Sequence, residues 1–238
     1  MELVGLRLSR VAVVIPAWNE AEAIGPVVTE VLQEGVGLVI VADGGSTDGT
    51  QGAARAAGAQ VLDAGRGYGR ACAAGAAAAP PSCDVIAFMD GDGADCADQL
   101  PRLARPVLDG TQDFTIASRT WGVRAPGSMS WHQVLAGAVA GRLIGALYGV
   151  RYTDMCAFRV IRRDALVQLG MAEMSYGWNI EMQMKAARLR LRIAELPVPY
   201  RCRAGGASKV AGSLRGTLRA SVRIIATFAR VASAGARP

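Results

Sequence analysis

The sequence contains no CxxC pair, and its five cysteines are too many by one to form disulfides only with one another. A disulfide framework uses an even number of cysteines, and a structural zinc site typically uses cysteines paired at short spacings. Histidine is scarcer still, because His132 is the only one, and it begins a predicted helix without an obvious partner. We therefore exclude a disulfide framework and a structural zinc site, expect a reducing compartment, and assign His132 a structural role.

Long hydrophobic runs are absent as well. The apolar run at residues 11–15 is too short for a signal peptide and is followed at once by Pro16. The longest apolar stretch, residues 134–150, is interrupted by Arg142 and falls short of the ~20 residues that cross a bilayer. We therefore expect a cytoplasmic protein that is not integral to a membrane. Its 238 residues are enough for one sizeable packed core.

Acidic residues are missing from the C-terminal part of the chain. None follows Glu195, whereas eight of the 26 basic residues do. The preceding part has 18 basic and 20 acidic residues, so the net charge of +6 arises after Glu195. This distribution predicts an anionic partner for the C-terminal part. The eight basic residues are Arg201, Arg203, Lys209, Arg215, Arg219, Arg223, Arg230 and Arg237.

The first half of the chain alternates between predicted strands and predicted helices. Its apolar, β-branched runs are typical of strands that are buried on both faces of a sheet. The alternation predicts an α/β fold, with a mainly parallel Rossmann-type sheet, helices on both faces, and ligands at the carboxyl ends of the strands. The predicted strands are residues 11–15, 38–42, 60–62, 85–89 and 114–117, and the predicted helices are residues 23–34, 48–57, 70–79 and 97–108.

Beyond Arg119 the elements become less regular, and we interpret them as an extension of the same domain. No linker in the sequence is long enough to require a second domain. The predicted elements are a Gly/Pro loop at 122–127, a helix at 131–148, a strand at 157–161, a helix at 179–189, a strand at 192–198 and a last helix from near Gly212.

Two aspartates, Asp90 and Asp92, follow the fourth predicted strand with Gly91 between them. Alternate residues of an extended chain point the same way, so both carboxylates can reach one hard cation. Carboxylate and phosphate oxygens suit Mg²⁺ or Mn²⁺, which would bridge a diphosphate. A solvated turn is the alternative, because Asp–Gly is common in turns. Three further polar segments, at residues 16–20, 43–50 and 65–70, favour the metal site.

The order of these segments resembles the family 2 glycosyltransferases of the GT-A fold, and most of all the polyprenyl- and dolichyl-phosphate sugar synthases. The resemblance covers roughly residues 10–210. The motifs that carry it are Pro-x-x-Asn-Glu at 16–20, Asp-x-Gly-Ser-x-Asp-Gly-Thr at 43–50, a glycine-rich arginine loop at 65–70 and Phe-Met-Asp-x-Asp at 88–92. Members often have two adjacent aspartates where this chain has Asp43–Gly44.

This resemblance implies roles for the matching residues. Asp90 and Asp92 would bind the metal, Asp43 would hydrogen-bond the base, and Arg119, after Ser118, would face a phosphate. The residues expected to bind the nucleotide sugar are Pro16, Ala17, Asn19, Glu20, Asp43, Arg66, Arg70, Asp90, Gly91 and Asp92. The residues expected at the acceptor or its phosphate are Arg119, Arg201, Ser208 and Lys209.

Glu181 follows two aromatic residues at the start of a predicted helix. If the acceptor is a hydroxyl group, Glu181 is our candidate general base, and we group it with Asp92 and Arg119 as catalytic. If the acceptor is an anionic phosphate, no base is needed, and Glu181 would orient the sugar or brace an arginine. A third interpretation is an acid that the helix dipole favours at the first turn.

The last helix carries arginines along one flank of an apolar face. Such a helix can lie in a membrane surface that contains anionic lipid, or it can pack on the core with solvated arginines. We favour peripheral membrane contact. Nucleic acid is not the expected partner, because the sequence contains no recognised nucleic-acid-binding module. The apolar positions are Leu214, Leu218, Val222, Ile224, Ile225 and Phe228, and the basic ones are Arg215, Arg219, Arg223 and Arg230.

These features together predict a metal-dependent, inverting hexosyltransferase that uses a UDP- or GDP-linked sugar and a polyprenyl phosphate at the inner face of the cell membrane. The expected organisation is a GT-A-like domain at 1–211, with a nucleotide-sugar half at 1–120 and an acceptor half at 121–211, followed by a basic helix at 212–238. A soluble metabolite or glycan hydroxyl as acceptor, and a non-catalytic nucleotide-sugar-binding protein, remain alternatives. The spacing of the loop at 65–70 does not fit a dehydrogenase fingerprint.

Overall fold

The β-branched runs of the sequence form the centre of one sheet. The computed structural model describes residues 8–205 and 214–234, and the strands in these two ranges number seven. Their central residues are shielded from water on both faces, as in β1 and β4, where every side chain except that of Pro16 is buried. The strands are β1 (Val11–Ala17), β2 (Leu38–Asp43), β3 (Gln60–Asp63), β4 (Val85–Phe88), β5 (Phe114–Ser118), β6 (Arg159–Arg162) and β7 (Ile193–Pro197).

The strands lie in the order β3-β2-β1-β4-β6-β5-β7. All of them run in one direction except β6, which pairs antiparallel with β4 on one side and β5 on the other. Arg159 of β6 is opposite Phe88 of β4 and Ile116 of β5, which fixes the register. The predicted mainly parallel α/β sheet is confirmed, with one reversed strand between the two halves.

Helices cover the sheet, and in the described ranges they number eight. The sequence predicted seven of them to within a few residues, except that Ala97–Gln99 forms a 3₁₀ turn before the fourth helix. The helices are α1 (Ala21–Gln33), α2 (Thr50–Ala56), α3 (Tyr68–Ala78), α4 (Leu100–Leu108), α5 (Trp131–Tyr148), α6 (Arg163–Leu169), α7 (Trp178–Arg188) and α8 (Leu214–Ala234).

Close helix–sheet packing depends on a small residue in α3. A Cβ atom on Gly75 would lie 2.3 Å from Cγ1 of Val14 in β1, so a side chain there would displace the helix from the sheet. This contact places the first turn of α3, with Tyr68, beside the carboxyl end of β4. The glycine therefore helps to position a residue of the site described below.

The C-terminal helix α8 packs on α7 and divides its apolar residues between two environments. Ala220, Thr227 and Val231 are buried, and Ile224 and Phe228 are partly buried against the core. Leu218, Val222 and Ile225 are exposed. The single apolar face predicted for this helix is therefore split, and the predicted boundary at residue 212 lies outside the described residues.

No helix in residues 8–205 or 214–234 combines the length and the hydrophobicity that are needed to cross a membrane. The most apolar of them, α5, ends at Gly149, which adopts a left-handed conformation with φ of 76°. Its first turn is closed by Ser130 and Gln133, which form a capping box. The prediction of a helix at residues 131–148 is confirmed at both ends.

Candidate active site

The carboxyl ends of β1, β2, β4 and β5 lie along one edge of the sheet, because these strands run in the same direction. Each strand ends at a segment that the sequence analysis singled out. Pro16 and Ala17 end β1, Asp43 ends β2, Asp90 follows β4 and Arg119 follows β5. The edge therefore brings together the residues from which a site can be built.

Asp90 lies in a cluster of carboxylates. Its Oδ1 accepts a hydrogen bond from the Tyr68 hydroxyl at 3.3 Å, and its backbone N–H donates to Oδ2 of Asp95 at 3.1 Å. Burial and repulsion by Asp92 raise the pKa of Asp90 to about 6. Burial and the charges of Asp90 and Asp92 raise the pKa of Asp95 to about 8. The sequence analysis missed Asp95, although it lies only three residues after Asp92.

Asp92 is bound by an arginine from the other end of the domain. Nη2 of Arg203 lies 2.5 Å from Asp92 Oδ2, and the Ala94 N–H donates to Asp92 Oδ1 at 2.9 Å. The same Arg203 nitrogen lies 3.9 Å from Glu20, whereas Nη1 of Arg203 is buried without a hydrogen-bond partner. Arg203 was counted in the basic C-terminal part but was not predicted to be a site residue.

These carboxylates fit a hard divalent cation that is shared with a ligand. No group of three or more His, Cys, Asp or Glu side chains in the described part of the chain is arranged to hold a metal alone. Mg²⁺ typically takes one or two protein carboxylates and completes its shell with substrate phosphates and water. Asp90 and Asp92 supply that number, and the unsatisfied Nη1 of Arg203 beside them suits an anion.

Arg119 is held in one orientation by Asp154. Its Nε and Nη2 each donate to a carboxylate oxygen of Asp154 at 2.7 Å, and its backbone N–H donates at 2.9 Å. The guanidinium also lies 5.0 Å from the ring centroid of Tyr200. Burial opposes the charge of Asp154, but the hydrogen bonds from Arg119 outweigh it and lower the pKa of Asp154. Asp154, which sequence analysis missed, is therefore the residue that positions Arg119.

The loops that follow β1 and β2 are joined by hydrogen bonds and form one wall at the ends of these strands. The backbone N–H of Asn19 donates to Ser46 Oγ at 2.8 Å, and the Thr47 N–H donates back to Asn19 Oδ1 at 2.9 Å. Asp43 is fully buried and accepts from the N–H groups of Gly45 and Ser46 at 3.1 and 2.9 Å. Burial opposes its charge, yet the bonds from Ser46 and its neighbours lower the pKa of Asp43. The carboxylate of Asp43 thus shapes the second loop.

Three further residues predicted to bind the nucleotide sugar are Arg66, Arg70 and Gly91. The guanidinium of Arg66 stacks 3.9 Å from the ring centroid of Trp18, which joins the loop at 65–70 to the end of β1. Arg70 is exposed in the first turn of α3, and its backbone N–H donates to the Met174 carbonyl at 3.0 Å. Gly91 is buried, and a Cβ atom there would lie 3.1 Å from Ile15 Cγ2.

Glu181, the candidate general base for a hydroxyl acceptor, is buried and paired within the protein. No part of its side chain is exposed. Its Oε2 accepts from the N–H groups of Ala172 and Glu173 at 3.0 and 2.7 Å, and its Oε1 pairs with Lys185 and Arg230 at 3.0 and 3.1 Å. Burial opposes the charge, but these bonds lower the pKa of Glu181. Glu181 braces Arg230 of α8, which is the second role that the sequence left open.

Arg201, which was expected at the acceptor or its phosphate, is paired within the protein. Its guanidinium forms a two-pronged pair with Glu30 of α1, at 3.2 Å to each oxygen. Arg203, two residues further on, lies beside Asp92. Residues alternate in direction along an extended segment, and the sequence alone does not reveal which of two arginines faces the site. Ser208 and Lys209 lie outside the described residues.

The order of the strands and the helices on both faces of the sheet are those of the GT-A glycosyltransferase fold. The family model described as glycosyl transferase family 2 matches residues 12–170. The chain therefore belongs to glycosyl transferase family 2, and it is a glycosyltransferase. The resemblance identified from the four sequence motifs is confirmed.

Two relatives and one solved structure illustrate the similarity. An uncharacterized glycosyltransferase of Mycobacterium tuberculosis is 36% identical over 211 residues, which are 87% of this chain and 93% of the relative. The undecaprenyl-phosphate mannosyltransferase of Micrococcus luteus is 33% identical over 232 residues, 87% and 90% of the two chains. Glucosyl-3-phosphoglycerate synthase of Mycobacterium tuberculosis, solved with Mn²⁺ and UDP, has a TM-score of 0.74 at 23% identity. The superposition covers 97% of this chain and 84% of the synthase chain.

Proposed function

We propose that the protein transfers a hexose from a UDP- or GDP-linked sugar to a polyprenyl phosphate at the cytoplasmic face of the membrane. The observation that carries the proposal is the cluster at the end of β4, where Asp90 and Asp92 lie beside Arg203. The similarity to an undecaprenyl-phosphate mannosyltransferase supports a lipid phosphate as the acceptor. In this proposal residues 1–120 form the nucleotide-sugar half, residues 121–211 form the acceptor half and residues 212–238 contact the membrane. Arg203 of the second half reaches the donor site, and Arg119 of the first half reaches the acceptor site.

On the donor side, the residues of the chain prepare a place for a nucleoside diphosphate. Asp90 and Asp92 would hold Mg²⁺ or Mn²⁺, which when bound supplies positive charge against the diphosphate. Arg203 adds a second positive charge, and its buried Nη1 is free to donate to a phosphate oxygen. The wall built on Asp43 and Asn19 limits the pocket on the nucleotide side.

On the acceptor side, Arg119 offers a fixed guanidinium to the acceptor phosphate. An oxygen of that phosphate attacks the anomeric carbon, the bond from this carbon to the diphosphate oxygen breaks, and the nucleoside diphosphate leaves with the electron pair. One displacement of this kind inverts the anomeric carbon. An ionised phosphate needs no general base, in agreement with the fully paired carboxylate of Glu181.

The exposed face of α8 supports contact with the membrane. Leu218 and Val222 line a groove together with Arg219, Arg223 and Tyr176. An apolar groove with arginines at its side suits a lipid that has an anionic headgroup. Arg223 is shared with the protein, because it lies 4.0 Å from Glu173. We place the protein at the periphery of the inner membrane face on this basis.

The metal role is tested with the Asp92→Asn variant. Transfer from UDP-glucose or GDP-mannose with Mn²⁺ should fall by roughly 10²-fold or more, because charge stabilisation of the departing diphosphate is lost. Asp98→Asn is the matched control, since Asp98 is exposed on the 3₁₀ turn nearby. A near-normal rate of Asp92→Asn, measured by release of the nucleoside diphosphate, contradicts the metal role.

The acceptor is tested by offering the wild-type protein three compounds with the same donor. We expect transfer to a short, water-soluble polyprenyl phosphate and none to 3-phosphoglycerate or to a glycan hydroxyl. Preferred transfer to either of the latter contradicts the lipid acceptor. Nucleotide-dependent thermal stabilisation without turnover of any acceptor or hydrolysis of the donor contradicts an enzyme altogether.

A further inference from the structure

The helix α5 is apolar on every side, which is unusual for a helix at the surface of a protein. Its inner face is buried through Gly137, Ala140, Gly141 and Ile144. Its outer face is exposed, and Arg142 and His132 are the polar residues on it. A helix that is apolar all round normally has neighbours all round, either protein or lipid.

Five large apolar residues follow one another at intervals of four along the outer face, and we call them the α5 surface. Trp131 has 77% of its surface exposed, and the other four have between 44% and 51% exposed. Monomeric proteins rarely leave so long a row of large apolar side chains in water. The members of the α5 surface are Trp131, Leu135, Val139, Leu143 and Leu147.

The loop that leads into α5 continues this character. Trp121 is 63% exposed and Val123 is 82% exposed. Tryptophan is enriched where a membrane meets water, because its ring is apolar and its N–H is polar. Trp121 and Trp131 therefore place exposed tryptophans at the start of the loop that leads into α5 and at the first residue of α5.

The charge around the α5 surface has one sign. Residues 114–153 contain no aspartate or glutamate. Arg119 in this range is paired with Asp154, whereas Arg124, Arg142 and Arg151 are exposed. Exposed arginines in a stretch of chain without acidic residues attract the anionic headgroups of a charged membrane.

These observations distinguish a lipid surface from a second copy of the chain. If two α5 surfaces packed together, Arg142 of each copy would enter an apolar interface to which α5 contributes no acid, and an unpaired buried charge is costly. Against a bilayer, the same side chain can extend its stem along the apolar row and place its guanidinium at the phosphates. We propose that the α5 surface lies in the surface of an anionic membrane.

The inner face of α5 connects this membrane contact to the candidate site. A Cβ atom on Gly141 would lie 1.8 Å from the Tyr152 carbonyl oxygen, and one on Gly137 would lie 3.6 Å from Asp154 Cα. Asp154 holds Arg119, the residue assigned to the acceptor phosphate. The membrane would thus lie one helix away from that arginine. Only this last link rests on the proposed function, whereas the membrane contact itself does not.

The inference is tested by co-sedimentation with vesicles of phosphatidylglycerol and phosphatidylcholine. Leu135→Glu/Leu143→Glu should lower the bound fraction by roughly tenfold or more, because two apolar side chains lose their burial. The matched control is Val167→Glu/Leu189→Glu, which places the same charges at two exposed apolar residues away from the α5 surface. A third variant, Leu218→Glu/Ile225→Glu, measures how much of the vesicle binding is due to α8.

A second measurement reports contact directly and does not depend on substitutions that could unfold the protein. Brominated phosphatidylglycerol should quench tryptophan fluorescence of the wild-type protein, and Trp121→Phe/Trp131→Phe should lose most of that quenching. Equal vesicle binding of the α5 variant and its control, or quenching that survives in the Phe variant, overturns the inference. So does a wild-type dimer in sedimentation velocity that the α5 variant abolishes.

Failure of this inference and failure of the proposed function give different results. Transfer to the short, water-soluble polyprenyl phosphate should be unchanged in Leu135→Glu/Leu143→Glu, because no bilayer is needed. If the α5 variant loses vesicle binding while the wild type ignores polyprenyl phosphate, the membrane contact stands and the acceptor is wrong. If the wild type uses polyprenyl phosphate but binds no vesicles, the acceptor stands and the membrane contact is wrong.

Discussion

At the scale of single residues, the charges of the site are fixed by partners that are distant in the sequence. Arg119 is held by Asp154, 35 residues later, and Asp92 by Arg203, 111 residues later. The Arg119 guanidinium is largely shielded from water, with 15% of its side chain exposed. Its orientation therefore depends on Asp154, which acts as a positioning residue and not as a contact to the substrate.

Replacing Asp154 by Asn should affect both stability and function. The free energy of unfolding should fall by about 3–5 kcal/mol, because a buried guanidinium loses its countercharge. Transfer should fall through a higher KM for the acceptor, since Arg119 is no longer held in place. Denaturant unfolding and steady-state kinetics measure the two effects.

The matched control for this change is Asp164→Asn. Asp164 is also paired with an arginine, at 3.0 Å from Arg162, but 62% of its side chain is exposed. Such surface pairs contribute between about 0 and 1 kcal/mol. Equal destabilisation by the two substitutions, or an unchanged acceptor KM in Asp154→Asn, contradicts the positioning role.

Residues that are close in sequence could be predicted, whereas their distant partners could not. Asp90 and Asp92 were found because one glycine separates them after an apolar strand. Asp154 and Arg203 stand in segments without such a pattern, and only the folded chain shows which carboxylate meets which guanidinium. The pairing of Glu181 could not be predicted for the same reason, since its partner Arg230 lies on α8.

At the scale of elements, α5 is held by a close approach of backbone to backbone. The inner side of its second half rests on the segment around Tyr152, where Gly141 leaves no room for a side chain. Gly145, one turn further on, has its nearest neighbour at 3.8 Å from a built Cβ atom. A methyl group at Gly141 would therefore clash with the backbone, whereas a methyl group at Gly145 would make an ordinary contact.

The pair Gly141→Ala and Gly145→Ala tests this packing. Gly145→Ala should stabilise the protein by about 0.5–1 kcal/mol, because alanine favours the helix. Gly141→Ala gains the same propensity but must shift the helix, and it should destabilise by about 1–3 kcal/mol. Thermal unfolding of both variants measures the difference, and an equal gain for both contradicts the close approach.

Most of the strands and helices could be predicted from the sequence. Buried β-branched runs predicted the strands, and the apolar run that follows the Gly/Pro loop at 122–127 predicted α5. The direction of β6 was not foreseen, because a strand buried on both faces looks alike in parallel and antiparallel surroundings. The helix α6 was missed, because it has seven residues and follows β6 without an intervening loop.

At the scale of the whole molecule, the buried carboxylates after β4 make the stability of the fold depend on pH. The pKa of Asp95 is raised to about 8 in the folded protein, against about 3.9 in an unfolded chain. Between these values the folded state binds the proton more tightly, so stability falls as pH rises. A neutral residue at this position should remove that fall.

Asp95→Asn should therefore match the wild type near pH 4 and exceed it in Tm by a margin that grows up to pH 8. The measurement is a series of thermal scans with a chelator present, so that no divalent cation stabilises the edge. Asp98→Asn, the exposed neighbour, should follow the wild type throughout. A constant difference between Asp95→Asn and the wild type from pH 4 to pH 8 is inconsistent with the raised pKa.

The reversed strand β6 also sets a dimension of the molecule. It lies between β4, which leads to the donor-side aspartates, and β5, which leads to Arg119. Two neighbour spacings of about 4.8 Å put these strands about 10 Å apart. In the proposed reaction, the transferred sugar would lie between the donor diphosphate and the acceptor phosphate at the ends of these two strands. Removing β6 from the sheet would bring β4 and β5 together. The leaving diphosphate and the attacking phosphate would then compete for the same position.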